Sequence, residues 1–140
     1  MIDDKKITDM FREKGLRVTP QRLVTYRTLW DLRHPSAEEV IEEVRNRIPA
    51  ITVATVYNTL ECLVEAGLVA KVFSPDNKMY FDADTHPHQH LHDSTNHRII
   101  DVYDEDLHSI IIEHLKKNEQ LHNYTVQEVK LHLVGYQNQI

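Results

Sequence analysis

The apolar positions along the first part of the chain recur at helical spacing and are punctuated by caps and turns. Ile7, Met10 and Phe11 fall at i, i+3 and i+4, and Gly15 follows where a left-handed residue would end the helix. Thr19 before Pro20 predicts an N-cap and a first helical position, with Leu23, Tyr26 and Trp30 as the apolar stripe of a second helix running to about Leu32. His34 precedes Pro35, which biases it toward extended backbone and places it in a linker. Ser36 and Glu39 form a capping box for a third helix with Val40, Ile41 and Val44 inward, ending before Pro49. Thr52 caps a fourth, with Val53, Val56, Leu60 and Leu63 inward and Gly67 closing it. Its outer face then carries Thr55, Tyr57, Asn58 and Thr59.

Two β-rich runs, LVAKVFS and KMYFD, flank Pro75-Asp76-Asn77, a turn signal, and so predict a hairpin. Short helices followed by a hairpin are the order of a winged helix-turn-helix, with the last helix before the wing as the reading helix. Beyond about Asp82 come a His-rich loop, a strand at about His97 to Tyr103, an amphipathic helix with Leu107, Ile111 and Leu115, and a strand over TVQEVKLHLVGY. The expected fold is therefore α+β: a winged-helix DNA-binding domain over residues 1-82, then a small α/β dimerisation domain over 83-140. So small a second unit buries little alone, and pairing with a second copy would cover its open face and edges, so a homodimer is expected.

Composition adds three constraints. With 41% hydrophobic residues in 140, the chain can bury a core. No apolar run is long enough to cross a bilayer and the charged opening MIDDKK has no signal-peptide core behind it, so a cytoplasmic location without membrane contact is expected. The single cysteine, Cys62, fits a helix as a small hydrophobe and cannot build a Cys-x-x-Cys site, so any metal must be held by His, Asp or Glu. The net charge of -6 argues against nucleic acid until its distribution is read. Residues 1-80 carry 12 Lys/Arg against 12 Asp/Glu, whereas residues 81-140 carry 4 against 10, so the acidic surplus lies wholly in the second part.

Histidine is equally uneven: nine of ten follow residue 85, and only His34 precedes it. In Asp82-Ala-Asp-Thr-His86-Pro-His88-Gln-His90-Leu-His92-Asp93, alternate positions of extended backbone point the same way, so His88 and His90 can face one ion. Asp82 at the wing end and Asp101 on the following strand are carboxylate candidates; His86 and His92 are expected to be ordinary surface histidines. Ligation by nitrogen and oxygen without thiolate suits Fe(II), Mn(II), Ni(II) or Zn(II), and two carboxylates favour the harder Mn(II) and Fe(II).

Three stretches together carry a family likeness: Leu16-Arg17-Val18-Thr19-Pro20-Gln21-Arg22, His34-Pro35-Ser36-Ala37-Glu38-Glu39, and Val53-Ala54-Thr55-Val56-Tyr57-Asn58-Thr59-Leu60 with Gly67-Leu68-Val69. In order and spacing the chain resembles the ferric uptake regulator family from about residue 10 to residue 135. The resemblance implies a dimeric repressor that binds a palindromic, A·T-rich operator when a divalent metal lies between its two domains. Carried over by position, the ligands are His34, Asp82, His88, His90 and Asp101, so that occupancy would fix the domains' orientation and link metal affinity to DNA affinity. Aspartate at 82 and 101, where iron-uptake regulators resemble one another in having Glu, looks more like the peroxide-responsive branch. There Fe(II) reacts with hydrogen peroxide and a ligand histidine gains oxygen; His34 and His88 are the implied targets. Mn(II) would give a repressor blind to peroxide, and Zn(II) could occupy the site in isolated protein. The sensing event happens once, so the chain is not expected to be an enzyme.

Most members of the family carry two Cys-x-x-Cys pairs for a structural zinc, whereas the matching positions here read Asp93-Ser-Thr-Asn96 and Gln137-Asn-Gln-Ile140. No structural zinc is expected, and the C-terminal strand must be held by packing and hydrogen bonds. A further metal site of some members also lacks its ligands, with Pro87, Gln89, His108 and Val129 at the matching positions. For DNA, Thr55, Tyr57, Asn58 and Thr59 are the expected base and backbone contacts, and Arg17, Gln21 and Arg22, with Lys14, the phosphate contacts at the start of the second helix. Rival readings are an iron- or zinc-uptake regulator without peroxide chemistry, a His/Asp metal-dependent hydrolase, and an interaction domain with incidental histidines. Only three glycines and no nucleophile motif speak against the hydrolase.

Overall fold

The computed structural model describes residues 2-75 and 77-139, so Asp76 of the expected turn lies outside the described residues, as does Ile140. The chain divides into two compact units after Thr85, slightly later than the boundary expected at Asp82.

In the first unit the described residues form α1 (Asp4–Glu13), α2 (Pro20–Leu32), α3 (Ala37–Arg47), α4 (Val53–Glu65) and an antiparallel hairpin, β1 (Ala70–Phe73) with β2 (Met79–Asp82). This is the expected helix order with a wing. Each helix starts at a side chain that accepts from an orphan N–H: Asp3 for α1, Thr19 for α2, Ser36 for α3 and Thr52 for α4. The Ser36–Glu39 capping box is complete. Gly67 ends α4 at φ +77°, a conformation that costs any other residue steric strain. The core is Ile7, Phe11, Tyr26, Leu29, Val40, Val44, Val56, Leu60, Leu63 and Phe81, with Phe11 edge-on to Tyr26. At about 2 kcal/mol per fully buried large side chain, this cluster is the main stabilising term of the unit.

Two expectations about α4 need correction, whereas in α2 the expected Tyr26 is buried and Leu23 and Trp30 pack half-buried against the core, beside fully buried Thr25, Thr28 and Leu29. Thr28 tolerates this because its hydroxyl donates to the Val24 carbonyl at 2.7 Å. Val53 is 41% exposed in the first turn of α4, before that helix reaches the core. Thr59, expected on the outer face, is buried, and its hydroxyl donates to the Thr55 carbonyl.

The second unit holds β3 (Gln89–Asp93), β4 (Ile99–Val102), α5 (Leu107–Leu115), a 3-10 turn at Glu119–Leu121 and β5 (His132–Gly135). The sheet order is β4-β3-β5, antiparallel between β3 and β4 and parallel between β3 and β5. The last part of the expected His-rich loop, from Gln89 to Asp93, is thus the central strand. The expected last strand is cut to its final residues, because β3 offers partners only from His90 to Asp93. Asp101, His90 and His132 lie side by side across one face; Ile100, Leu91 and Leu133 lie across the other.

Candidate metal centre

Within the first unit, two ligand candidates distant in sequence are brought together by backbone pairing. The Phe81 N–H donates to the Pro35 carbonyl at 2.9 Å, and Ser36 bridges Tyr80, so the linker after α2 runs along β2. His34 Nε2 then lies 3.5 Å from Asp82 Oδ2, with both side chains nearly buried. The other Asp82 oxygen accepts from the Asp84 N–H at 2.9 Å, which fixes the carboxylate. Arg33, just before His34, has φ +70° and ψ -77° and closes a γ-turn in which the His34 N–H donates to the Leu32 carbonyl. That conformation is strained for a residue with a Cβ, and it is what turns the chain sharply out of α2.

Within the second unit, His88, His90 and Asp101 converge. The Nε2 atoms of His88 and His90 are 3.1 Å apart, and Asp101 Oδ1 lies 3.4 Å from the first and 3.6 Å from the second. Asp101 faces His90 because the two are register partners on β4 and β3. His88 Nδ1 faces the His86 carbonyl, which selects the tautomer that leaves Nε2 as an acceptor. Its ring also rests against Tyr103, with centroids 5.5 Å apart.

These dimensions fit a metal ion. Donors about 2.1 Å from an ion and separated by octahedral or tetrahedral angles are about 3.0 to 3.4 Å from one another. Two edges of the His88–His90–Asp101 triangle, 3.1 and 3.4 Å, fall in that range and the third, 3.6 Å, lies just beyond it, while the side chains are only 5%, 12% and 17% exposed. Buried carboxylate charge is costly without a compensating cation, which a divalent ion provides. The donors are imidazole and carboxylate with no thiolate, so Fe(II), Mn(II) and Zn(II) all suit them.

The residues expected to meet DNA lie in the first unit. Tyr57, 43% exposed, and Asn58 stand on the outer face of α4, with Thr55 half-buried and hydrogen-bonded to Thr52. Val53 and Ala54 share that exposed surface; the helical pattern assigned Val53 inward, and only its position in the first turn could have signalled otherwise. Lys14, Arg17 and Gln21 are exposed, whereas Arg22 is half-buried, donates to the Arg17 carbonyl and faces Cys62 Sγ.

His86 is exposed, as expected, but His92 is not an ordinary surface residue: it is 7% exposed and its Nε2 lies 3.1 Å from His132 Nδ1. Where the resemblance places zinc cysteines, Asp93 accepts from the backbone of Thr95 and Asn96, and Ser94 binds the Gly135 carbonyl through both its N–H and its hydroxyl. Local hydrogen bonds therefore tie β5 to the β3–β4 turn.

The Ferric uptake regulator family matches residues 13–134 of the chain. The peroxide-responsive repressor PerR of Staphylococcus epidermidis is 34% identical over 93 residues, 66% of this chain and 62% of that protein. PerR of Staphylococcus aureus is 37% identical over 81 residues, 57% of this chain and 55% of that protein. The match therefore spans less than two thirds of either relative's length. Among solved structures, the Vibrio cholerae ferric uptake regulator superposes with a TM-score of 0.69 at 26% identity, covering 93% of this chain and 98% of that one. With the family match running from the end of the first helix to the last strand, and the helices and wing in the expected order, the chain belongs to the ferric uptake regulator family.

Proposed function

We propose that this chain is a homodimeric, metal-dependent transcriptional repressor that binds an A·T-rich palindromic operator and senses peroxide. The observation that carries the reading is that the ligand candidates fall into two incomplete sets. His34 with Asp82 offers two donors, and His88, His90 and Asp101 offer three. Taken together as ligands of one ion they supply three nitrogens and two oxygens, a five-donor set with room for one small molecule on Fe(II) or Mn(II). An ion shared in this way would couple metal occupancy to DNA affinity, each changing the other by the same factor.

Peroxide sensing is supported by the likeness to the PerR proteins and by a set of five donors, which would leave a six-coordinate ion one position for a small molecule. Bound Fe(II) supplies the reaction with hydrogen peroxide, and the chain supplies the oxidisable rings, His34 and His88. Mn(II) in the same place leaves the repressor insensitive. The site is spent by one reaction, which makes this a sensor, not an enzyme.

For DNA, Tyr57 and Asn58 with Val53, Ala54 and Thr55 form the reading surface, where a tyrosine ring and small apolar side chains suit thymine methyl groups. Lys14, Arg17 and Gln21 contact phosphate, with Arg22 bracing Arg17 as well as adding charge. Thr59, buried, takes no part. The homodimer rests on the second unit: every fully buried apolar side chain among the described residues lies in the first unit, and Ile100, Tyr103, Ile110, Leu133, Val134 and Tyr136 of the second are all exposed. A cytoplasmic location belongs to the same reading; among the described residues no helix is long and apolar enough to cross a membrane.

The test is a gel shift of an A·T-rich palindrome by purified protein with Mn(II), with Fe(II), and with Fe(II) followed by peroxide. Retention with both metals, release after peroxide and gain of one oxygen on peptides bearing His34 or His88 are expected. Release by chelator without any oxygen gain would leave a metal-uptake regulator, and equal binding with and without metal would overturn the reading.

A further inference from the structure

We propose that His92 on β3 and His132 on β5 form a second divalent-metal site, which clamps the C-terminal strand to the centre of the sheet. His92 Nε2 and His132 Nδ1 are 3.1 Å apart, with ring centroids 5.3 Å apart and ring planes at 46°. Two imidazole nitrogens each about 2.05 Å from a tetrahedral ion stand about 3.3 Å apart, so a slight turn of either ring admits one.

The pair adjoins the His88–His90–Asp101 cluster, since His132 is the register partner of His90, but it uses other ring nitrogens. His90 and His92 are alternate residues of one strand, which spaces them by about 7 Å along it, and the Nε2 of His90 is directed to Asp101 and His88. The two sites also differ in chemistry. The first has carboxylate oxygen and accepts hard ions; the second has imidazole nitrogen from both strands. Its cation is therefore a borderline one, Zn(II), Ni(II) or Cu(II), and not Mn(II) or Mg(II).

Burial suits the role. His92, 7% exposed, is held rigidly on the central strand, while His132 is exposed and gives the ion an entry path and positions for water. β5 has only four residues, two of whose apolar side chains, Leu133 and Val134, face solvent. A crosslink closing the long loop between the two histidines removes disorder from the unfolded chain and favours docked β5.

The experiment uses full-length, metal-free protein dialysed against Zn(II) or Mn(II) at neutral pH, followed by elemental analysis and thermal melting. Wild type should retain two Zn(II) but one Mn(II) per protomer, and Zn(II) should raise Tm further than Mn(II) does. His132→Gln, at an exposed position, should lose one Zn(II) and that extra rise while keeping its Mn(II). Asp101→Asn should lose Mn(II) while keeping one Zn(II), which separates failure of this site from failure of the first. If wild type and His132→Gln retain equal Zn(II), the two rings share only a hydrogen bond and the proposal is wrong.

Discussion

Phe81 donates its backbone N–H to the Pro35 carbonyl at 2.9 Å, and this one bond lays the linker after α2 against the wing. It turns two residues remote in sequence, His34 and Asp82, into neighbours 3.5 Å apart. The proposed ligand pair is thus a product of strand pairing, its two side chains already adjacent without an ion.

Asp101→Asn keeps shape but removes charge from the ligand triangle, while His34 and Asp82 are untouched. Mn(II) affinity should fall by about 100-fold or more, because losing even a group that only hydrogen-bonds to a ligand costs about 10 to 100-fold. Competition with a chelating indicator measures it, and an unchanged affinity would remove Asp101 from the ligand set.

Arg33 holds a positive-φ turn that glycine adopts freely. Arg33→Gly should stabilise the metal-free protein by about 1 kcal/mol, the strain relieved exceeding the extra chain entropy. Urea unfolding of the two proteins is the measurement; a loss of stability would mean that the arginine side chain contributes more than the turn costs.

At Gly67 the converse holds. A Cβ there meets nothing within 4 Å, so only the backbone at φ +77° resists it. Gly67→Ala should cost about 1 to 2 kcal/mol through left-handed strain alone, read from the same unfolding curves, and a neutral result would show that the helix end re-forms without a left-handed residue.

Tyr57 is exposed on α4 and outside the core. Replacing it with alanine should leave Tm within about 1 °C, as for other surface changes, yet weaken operator binding about tenfold or more, the range of one good base contact. Fluorescence anisotropy with operator and scrambled duplexes separates the two effects; equal loss on both would make Tyr57 a phosphate contact.

Burial first, and then the nearby His90 and Lys130, hold the His132 imidazole below its ordinary value of 6.5. In metal-free protein the unfolded chain therefore takes up this proton before the folded one does as pH falls. The stability tied to neutral His132 is complete above pH 6.5 and declines as the pH drops toward the folded value. NMR titration of its ring should give a midpoint below that of the same ring in urea, and His132→Gln should flatten the pH dependence of unfolding below 6.5. A midpoint at or above the denatured one contradicts this.

Helix caps, glycine stops and the wing were legible in the residues because each is decided within a turn or two: Ser36 and Glu39 meet across three positions, and Thr19 with Pro20 start a helix wherever the rest of the chain goes. His88 and His90 were legible for the same reason, since extended backbone puts alternate residues on one side. Tertiary structure decided what depends on register and depth. It placed Asp101 opposite His90, laid His34 beside Asp82, drew His92 inward against His132, sank Thr59 and left Val53 in solvent. Those outcomes are set by which strand pairs with which and by where each helix meets the core, long-range choices that no local spacing records.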